Sequence, residues 1–296
     1  KNLYTDSNIN GDITYNLRGF QKNYNTSSDE SVLINDIYYS SFSKISSSID
    51  GLMTNYKFLL RNLNSNANNS ENLREGEDSK LLSSIILESK LPLKKENELF
   101  NNYLTPKFSF RYSPNSTKNN SKSDTAIIYE DLFSIDRVDD TGVEGGESLT
   151  VGIEYSSKNK QDKDFLNLSI GNVLRLNENP DLPKLHNLSD QRSDFIGSLE
   201  IIPSKFFNLS YDFSLDNGLE SSNYDLIKAD ISINNFVTSF EFLEEDNYLN
   251  QTSYAKNKTK YKVSDNYSVS FETSKNLDKD ITDYYNLIYE YENDCM

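Results

Sequence analysis

Apolar and polar residues alternate along most of this chain, one position at a time. The period is cleanest from Phe207 to Leu215, where Phe207, Leu209, Tyr211, Phe213 and Leu215 oppose Asn208, Ser210, Asp212 and Ser214. A period of two marks a β-strand with one apolar and one polar face. The same pattern holds Leu149, Val151, Ile153 and Tyr155 against Ser148, Thr150, Gly152 and Glu154. It also sets Leu166, Leu168, Ile170, Leu174 and Leu176 against Asn167, Ser169, Gly171 and Arg175. Further strands are expected at Asp12–Gly19, Leu52–Leu60, Leu81–Leu93, Leu104–Pro114, Phe195–Ile202, Asp225–Ile233, Phe236–Leu243, Tyr267–Thr273 and Tyr284–Tyr291. Two shorter ones are expected within Ser31–Asp50.

The connections fall into two kinds. Pro203-Ser204-Lys205-Phe206 and Asn234-Asn235 read as tight hairpin turns. Asn62–Ser79, Asn115–Asp124 and Asn177–Ser193 read as long polar loops, and Pro92 as a strand end. The stretch Asp131–Tyr155 organises the rest. A Phe-Ser-Ile-Asp-Arg turn opens a loop with Asp139, Asp140, Gly142, Gly145 and Gly146, and a strand follows. The pattern is about a dozen segments of roughly 8 to 11 residues, with short turns alternating with long loops, as in outer-membrane barrels. No fixed repeat length appears, which argues against a solenoid. Tyr15, Tyr112, Tyr155 and Tyr291 fall near strand ends, where aromatic girdles lie.

Composition sharpens this picture. Only 35% of the 296 residues are hydrophobic, yet aromatics reach 12%, and the mean hydropathy is -0.69. Disordered chains lack aromatics, so the chain folds. A barrel with a polar interior and an apolar outside fits, and composition alone leaves a soluble all-β protein equally open. No apolar run approaches the roughly 20 residues of a membrane helix, so a membrane role requires a closed barrel. The net charge of -16 with no basic face excludes a nucleic-acid partner.

The chemistry-bearing residues are sparse. His186 is the one histidine and Cys295 the one cysteine. No Ser/His/Asp set, zinc cluster or phosphate-binding glycine loop can be assembled. Asp136, Asp139, Asp140, Glu144 and Glu147 read as a solvated loop, with calcium a lesser alternative because the spacing is not that of a dedicated calcium loop. No catalytic, metal or cofactor site is expected.

Several motifs, taken in order, resemble one family. They are Pro106 to Asn115 (Pro-x-Phe-x-Phe-Arg-Tyr-Ser-Pro-Asn), then Leu132 and Phe133 followed by Asp136 and Arg137. Next come the strand bearing Gly152, the strand with Gly171 and Arg175, and the loop with Ser193 and Asp194. A strand ending at Pro203 follows, then a late strand with Tyr289 and Cys295. In this order the chain resembles the C-terminal barrel of the lipopolysaccharide-assembly protein LptD, in its alphaproteobacterial form. The resemblance implies an antiparallel transmembrane β-barrel, incomplete here at roughly 12–16 strands. It implies that residues 1–296 are part of one barrel domain, lacking the periplasmic domain before it and the closing strand after it.

It further implies an outer-membrane protein that inserts lipopolysaccharide into the outer leaflet. An LptE-type lipoprotein would plug the barrel and an LptA-type periplasmic bridge would deliver the lipid. There is no cofactor and no covalent chemistry. Cys295 matches a late family cysteine, which implies a disulfide to an early cysteine absent from this chain. A porin or substrate-specific channel, and a soluble or surface β-rich adhesin, remain alternatives at this point.

Overall fold

The computed structural model describes residues 2–6, 9–23, 29–45, 49–70, 75–117, 119, 121, 126–135, 137–138, 143–246, 251–264 and 266–292. Among these, sixteen strands form one sheet in which every pairing is antiparallel. In chain order they are β1 Asn2–Asp6, β2 Ile9–Lys22, β3 Glu30–Ile45, β4 Met53–Asn68, β5 Gly76–Lys90, β6 Leu93–Glu96, β7 Phe100–Ser113 and β8 Gly146–Asn159. There follow β9 Asp164–Arg175, β10 Phe195–Ser204, β11 Phe207–Leu215, β12 Ser222–Ile233, β13 Phe236–Asp246, β14 Gln251–Lys262, β15 Tyr267–Asn276 and β16 Ile281–Tyr291. Neighbours in sequence are neighbours in space, a meander, and β1 and β16 are its two edges.

The two faces are inverted relative to a soluble protein. On β7, Phe108, Phe110 and Tyr112 are 45%, 44% and 43% exposed, whereas the alternating Ser109, Arg111 and Ser113 are 4%, 3% and 2% exposed. On β8, Leu149, Val151 and Ile153 are exposed while Ser148 and Thr150 are buried. Water would not leave such rows uncovered; a hydrocarbon solvent does. No helix among the described residues is long and apolar enough to cross a membrane.

Three strand readings need correction. Ser31–Asp50 holds one long strand, β3, not two short ones. The loop read at Asn62–Ser79 is largely strand, because β4 runs to Asn68 and β5 starts at Gly76. Past Leu60, β4 pairs Asn62, Asn64 and Asn66 with Leu81, Ser79 and Glu77. The row that is apolar lower down turns to asparagine there, and hydropathy mistakes that for a loop. β14 went unread, since Ala255, Asn257 and Thr259 offer its apolar row almost nothing; instead the Thr259 and Thr238 hydroxyls hydrogen-bond at 2.8 Å.

Pro92 falls just past the end of β5 at Lys90, in a two-residue break before β6. β6 resumes pairing with β7 at Leu93↔Leu104, where β5 left off at Lys90↔Lys107. Pro106 sits in β7 opposite this break, and its carbonyl accepts the Leu91 N–H at 3.1 Å. In an extended strand a residue's N and C=O point the same way, so the missing N–H of Pro106 faces the interruption and costs no ladder bond.

The connections sort by end. The described residues of segments 114–145 and 176–194 lie at one end with the turns after β11 and β15; the turns after β8, β10 and β12 lie at the other. The described residues of both long segments fold back over the polar face of the sheet, and that is where the core sits.

Candidate functional site: the covered inner face

The 3-10 turn at Tyr129–Phe133 is the centre of the covering segment. Asp131 sets it: its carboxylate accepts the Ile128 N–H at 3.3 Å, and its carbonyl accepts the Ser134 N–H at 2.9 Å. Ile127, Tyr129, Leu132 and Phe133 pack with Val173 of β9, Ile196 of β10 and Leu188 of the second long loop. A second cluster joins Val143 to Leu59 of β4 and Leu82 of β5. A polar sheet face thus carries two apolar patches, each under a loop.

Two glycines make the seat. Gly152 and Gly171 stand directly opposite each other on β8 and β9. A Cβ on Gly152 would lie 2.9 Å from the Phe133 ring and 2.9 Å from the Tyr129 hydroxyl. One on Gly171 would lie 3.0 Å from a Leu132 methyl. Only a residue without a side chain lets the turn reach the strands.

Arginines hold the turn down. Arg137 donates from Nε to Glu144 Oε2 at 2.6 Å and from Nη2 to Oε1 at 2.6 Å. Its Nη1 also reaches Thr150 Oγ1 at 3.0 Å and the Leu132 carbonyl at 3.1 Å. Arg175 donates to the same Glu144 Oε1 at 2.5 Å and to the Leu188 carbonyl at 2.9 Å. Arg111 of β7 donates to the Ile135 carbonyl at 2.6 Å and to that of Ser134. Burial would raise the Glu144 pKa, but Arg137, Arg111 and Arg175 outweigh it and hold the carboxyl well below the usual range. Fork geometry lets Arg137 take both oxygens at once, and the backbone carbonyls take the remaining donors.

Ser193 and Asp194 anchor the second loop. Asp194 is fully buried and accepts from Asn187 Nδ2 at 2.6 Å, Ser214 Oγ at 3.0 Å and Asn223 Nδ2 at 2.8 Å. The Ser193 hydroxyl accepts the Val173 N–H at 2.9 Å and donates to the Asp194 carbonyl at 2.8 Å. The two loops also bind each other, through Asn179 Nδ2 to Thr117 Oγ1 at 2.6 Å. His186 is buried in this loop, neither ring nitrogen hydrogen-bonded to any described residue, its ring edge-on to Tyr224 at 5.6 Å. Burial lowers its pKa to about 4.

Of the residues singled out in the sequence, Leu132, Phe133, Arg137, Gly152, Gly171 and Arg175 therefore converge on one seat, with Ser193 and Asp194 beside it. Pro106 stands apart in β7, Pro203 near the end of β10 and Tyr289 on the edge strand β16. Asp136, Asp139, Asp140 and Cys295 lie outside the described residues. The solvated-loop reading fails for Glu144, whose side chain is 3% exposed between Arg137 and Arg175. Among the described residues no group of acidic, His or Cys side chains is arranged to hold a metal ion. Val173 and Ile196 do not stand out in the sequence, since an isolated apolar residue in a polar row looks like noise, and nothing about a lone loop histidine signals the burial found for His186. Of the tyrosines read as girdle, Tyr112 and Tyr291 lie at exposed strand ends. Tyr15 is mid-strand in β2, and the Tyr155 hydroxyl bonds Asn102.

An antiparallel meander that exposes its apolar rows and buries its polar ones beneath its own loops is the wall of an outer-membrane-type β-barrel. The chain belongs to the LptD family: the model of LPS transport system D matches residues 34–272. Its work is lipopolysaccharide transport and assembly at the outer membrane. No curated protein matches the chain.

Proposed function

We propose that this chain resides in the outer membrane of the cell. There it forms lipid-facing wall, and part of the internal plug, of the barrel that inserts lipopolysaccharide into the outer leaflet. The observation that carries this reading is the inverted sheet, apolar rows outward and polar rows inward, in a chain of the LptD family. Residues 1–296 belong to one barrel domain on this reading. An LptE-type lipoprotein binds within the barrel and an LptA-type bridge supplies the lipid from the periplasm. The barrel breaks and forms no covalent bond and needs no cofactor; what it supplies is a wet path for the sugar and an apolar boundary for the acyl chains. Long connections face the exterior in such barrels and short turns face the periplasm. The described residues of segments 114–145 and 176–194 then plug the lumen from the outside.

Membrane fractionation of the protein, with its lipoprotein co-expressed, tests the reading. The expected result is a heat-modifiable outer-membrane species that co-purifies with the lipoprotein. A species that stays soluble without detergent would overturn it.

A further inference from the structure

Below the seated turn lies a cavity of about 600 Å³, on the side of the short turns. Its floor is the inner face of β7 to β11 and its roof is Tyr129 and Glu130. Ser156, Ser169, Ser198 and Ser210 supply four hydroxyls from four successive strands. Glu130, Glu154, Glu200 and Asp212 supply four carboxylates, against which Lys107 is the single cation among the described residues of the lining. That lysine is already engaged: its ammonium pairs with Glu154 at 2.8 Å and lies 4.2 Å from the Phe133 ring centre. Glu200 accepts the Asn167 amide at 3.0 Å, so an oriented carboxylate–amide pair faces the space. Among the described residues the buried Tyr129 hydroxyl, which faces Glu154, has no partner within hydrogen-bond distance.

Hydroxyls, amides and carboxylates beside aromatic rings match the hydrogen-bond pattern of a sugar. The sign of the charge then selects among sugars. A phosphorylated sugar brought in here meets four carboxylates and no uncommitted cation, whereas an amine or a neutral hydroxyl meets acceptors. We infer that the cavity is a saccharide subsite at the periplasmic mouth, taking uncharged or aminated sugar units and turning phosphorylated ones away. This rests on the transport reading above and adds which part of the glycolipid enters here.

The test uses the full protein in detergent and three probes on one scaffold: the β-1,6-linked glucosamine disaccharide, its di-N-acetyl form and its bisphosphate. Binding is measured by calorimetry. The amine and neutral forms should bind, and the bisphosphate at least about tenfold more weakly. Combining Glu200→Gln with Asp212→Asn should weaken the amine about tenfold and narrow the gap to the bisphosphate. The bisphosphate binding as tightly as the others, or no probe responding to the double variant, would overturn the inference. Heat-modifiable mobility confirms that the variant folds. Fractionation of the same samples separates the two failures, since an outer-membrane species without this selectivity sinks the subsite alone.

Discussion

At the scale of single residues, the plug depends on two absences and one carboxylate. Gly152→Val places atoms where Phe133 and Tyr129 already sit. It should cost about 1–3 kcal/mol, read as a lower urea midpoint for the heat-modifiable form. Glu144→Gln leaves Arg137 and Arg175 facing each other without the shared negative charge, and turns an NH2 toward one of them. Breaking a buried pair in this way costs about 3–5 kcal/mol, and the same urea titration reports it; an unchanged midpoint would mean the cluster is not buried. Acid should not mimic that variant. A carboxyl held below its unfolded value gives stability that is complete above about pH 4.3 and is lost only as pH falls through the depressed folded value. His186 acts in the same direction but at higher pH. Its folded pKa is about 4 against an unfolded value near 6.5. The unfolded state therefore takes up the proton first, and stability falls between those two pH values, by about 3 kcal/mol in total. His186→Leu should flatten that part of the pH profile, and a profile that keeps its slope would show the ring is not the group responsible.

At the scale of elements, the outward rows carry the membrane claim. Ile153 lies near the middle of β8 with Val151 beside it on the same row. Ile153→Arg should cost about 2–4 kcal/mol in a bilayer-folding assay, and harmlessness there would mean the row does not face lipid. How much was legible follows the same chemistry. β8, β9, β11 and the β12–β13 hairpin were readable because each has a full apolar row against a polar one. The upper part of β4 and most of β14 were not, because their outward positions are mainly Asn, Thr, Ala and Ser, with Tyr261 alone near the end of β14. Alternation is visible only where the two solvents differ, and at those positions they do not. The seat was half legible. The motif residues were singled out, but their meeting was hidden in register, since only pairing shows that Gly152 faces Gly171 and that Arg175 lies opposite Ser148. Glu144 was misread because a carboxylate in an Asp- and Gly-rich loop looks solvated until three arginines are found around it.

At the scale of the molecule, the sheet and its loops divide the labour. Strands give an apolar outer wall, and two connections from one end fill part of the inner face with their own small cores. The face of β12 to β16 is different, an open ladder of charge. Lys256 and Lys228 reach Glu241, Lys258 reaches Glu272 at 2.5 Å, and Lys260 pairs with Glu290. Such a wall is wet and nearly neutral along the row, suited to a polar headgroup in transit rather than to a fixed ligand. The family match spans both halves, so transport belongs to the whole sheet and not to the seat alone. The measurement that tests this most directly is surface lipopolysaccharide, labelled on intact cells as the protein is depleted. The account predicts that newly made lipopolysaccharide stops reaching the outer leaflet while it continues to be synthesised. Delivery that continues undiminished after depletion would contradict it.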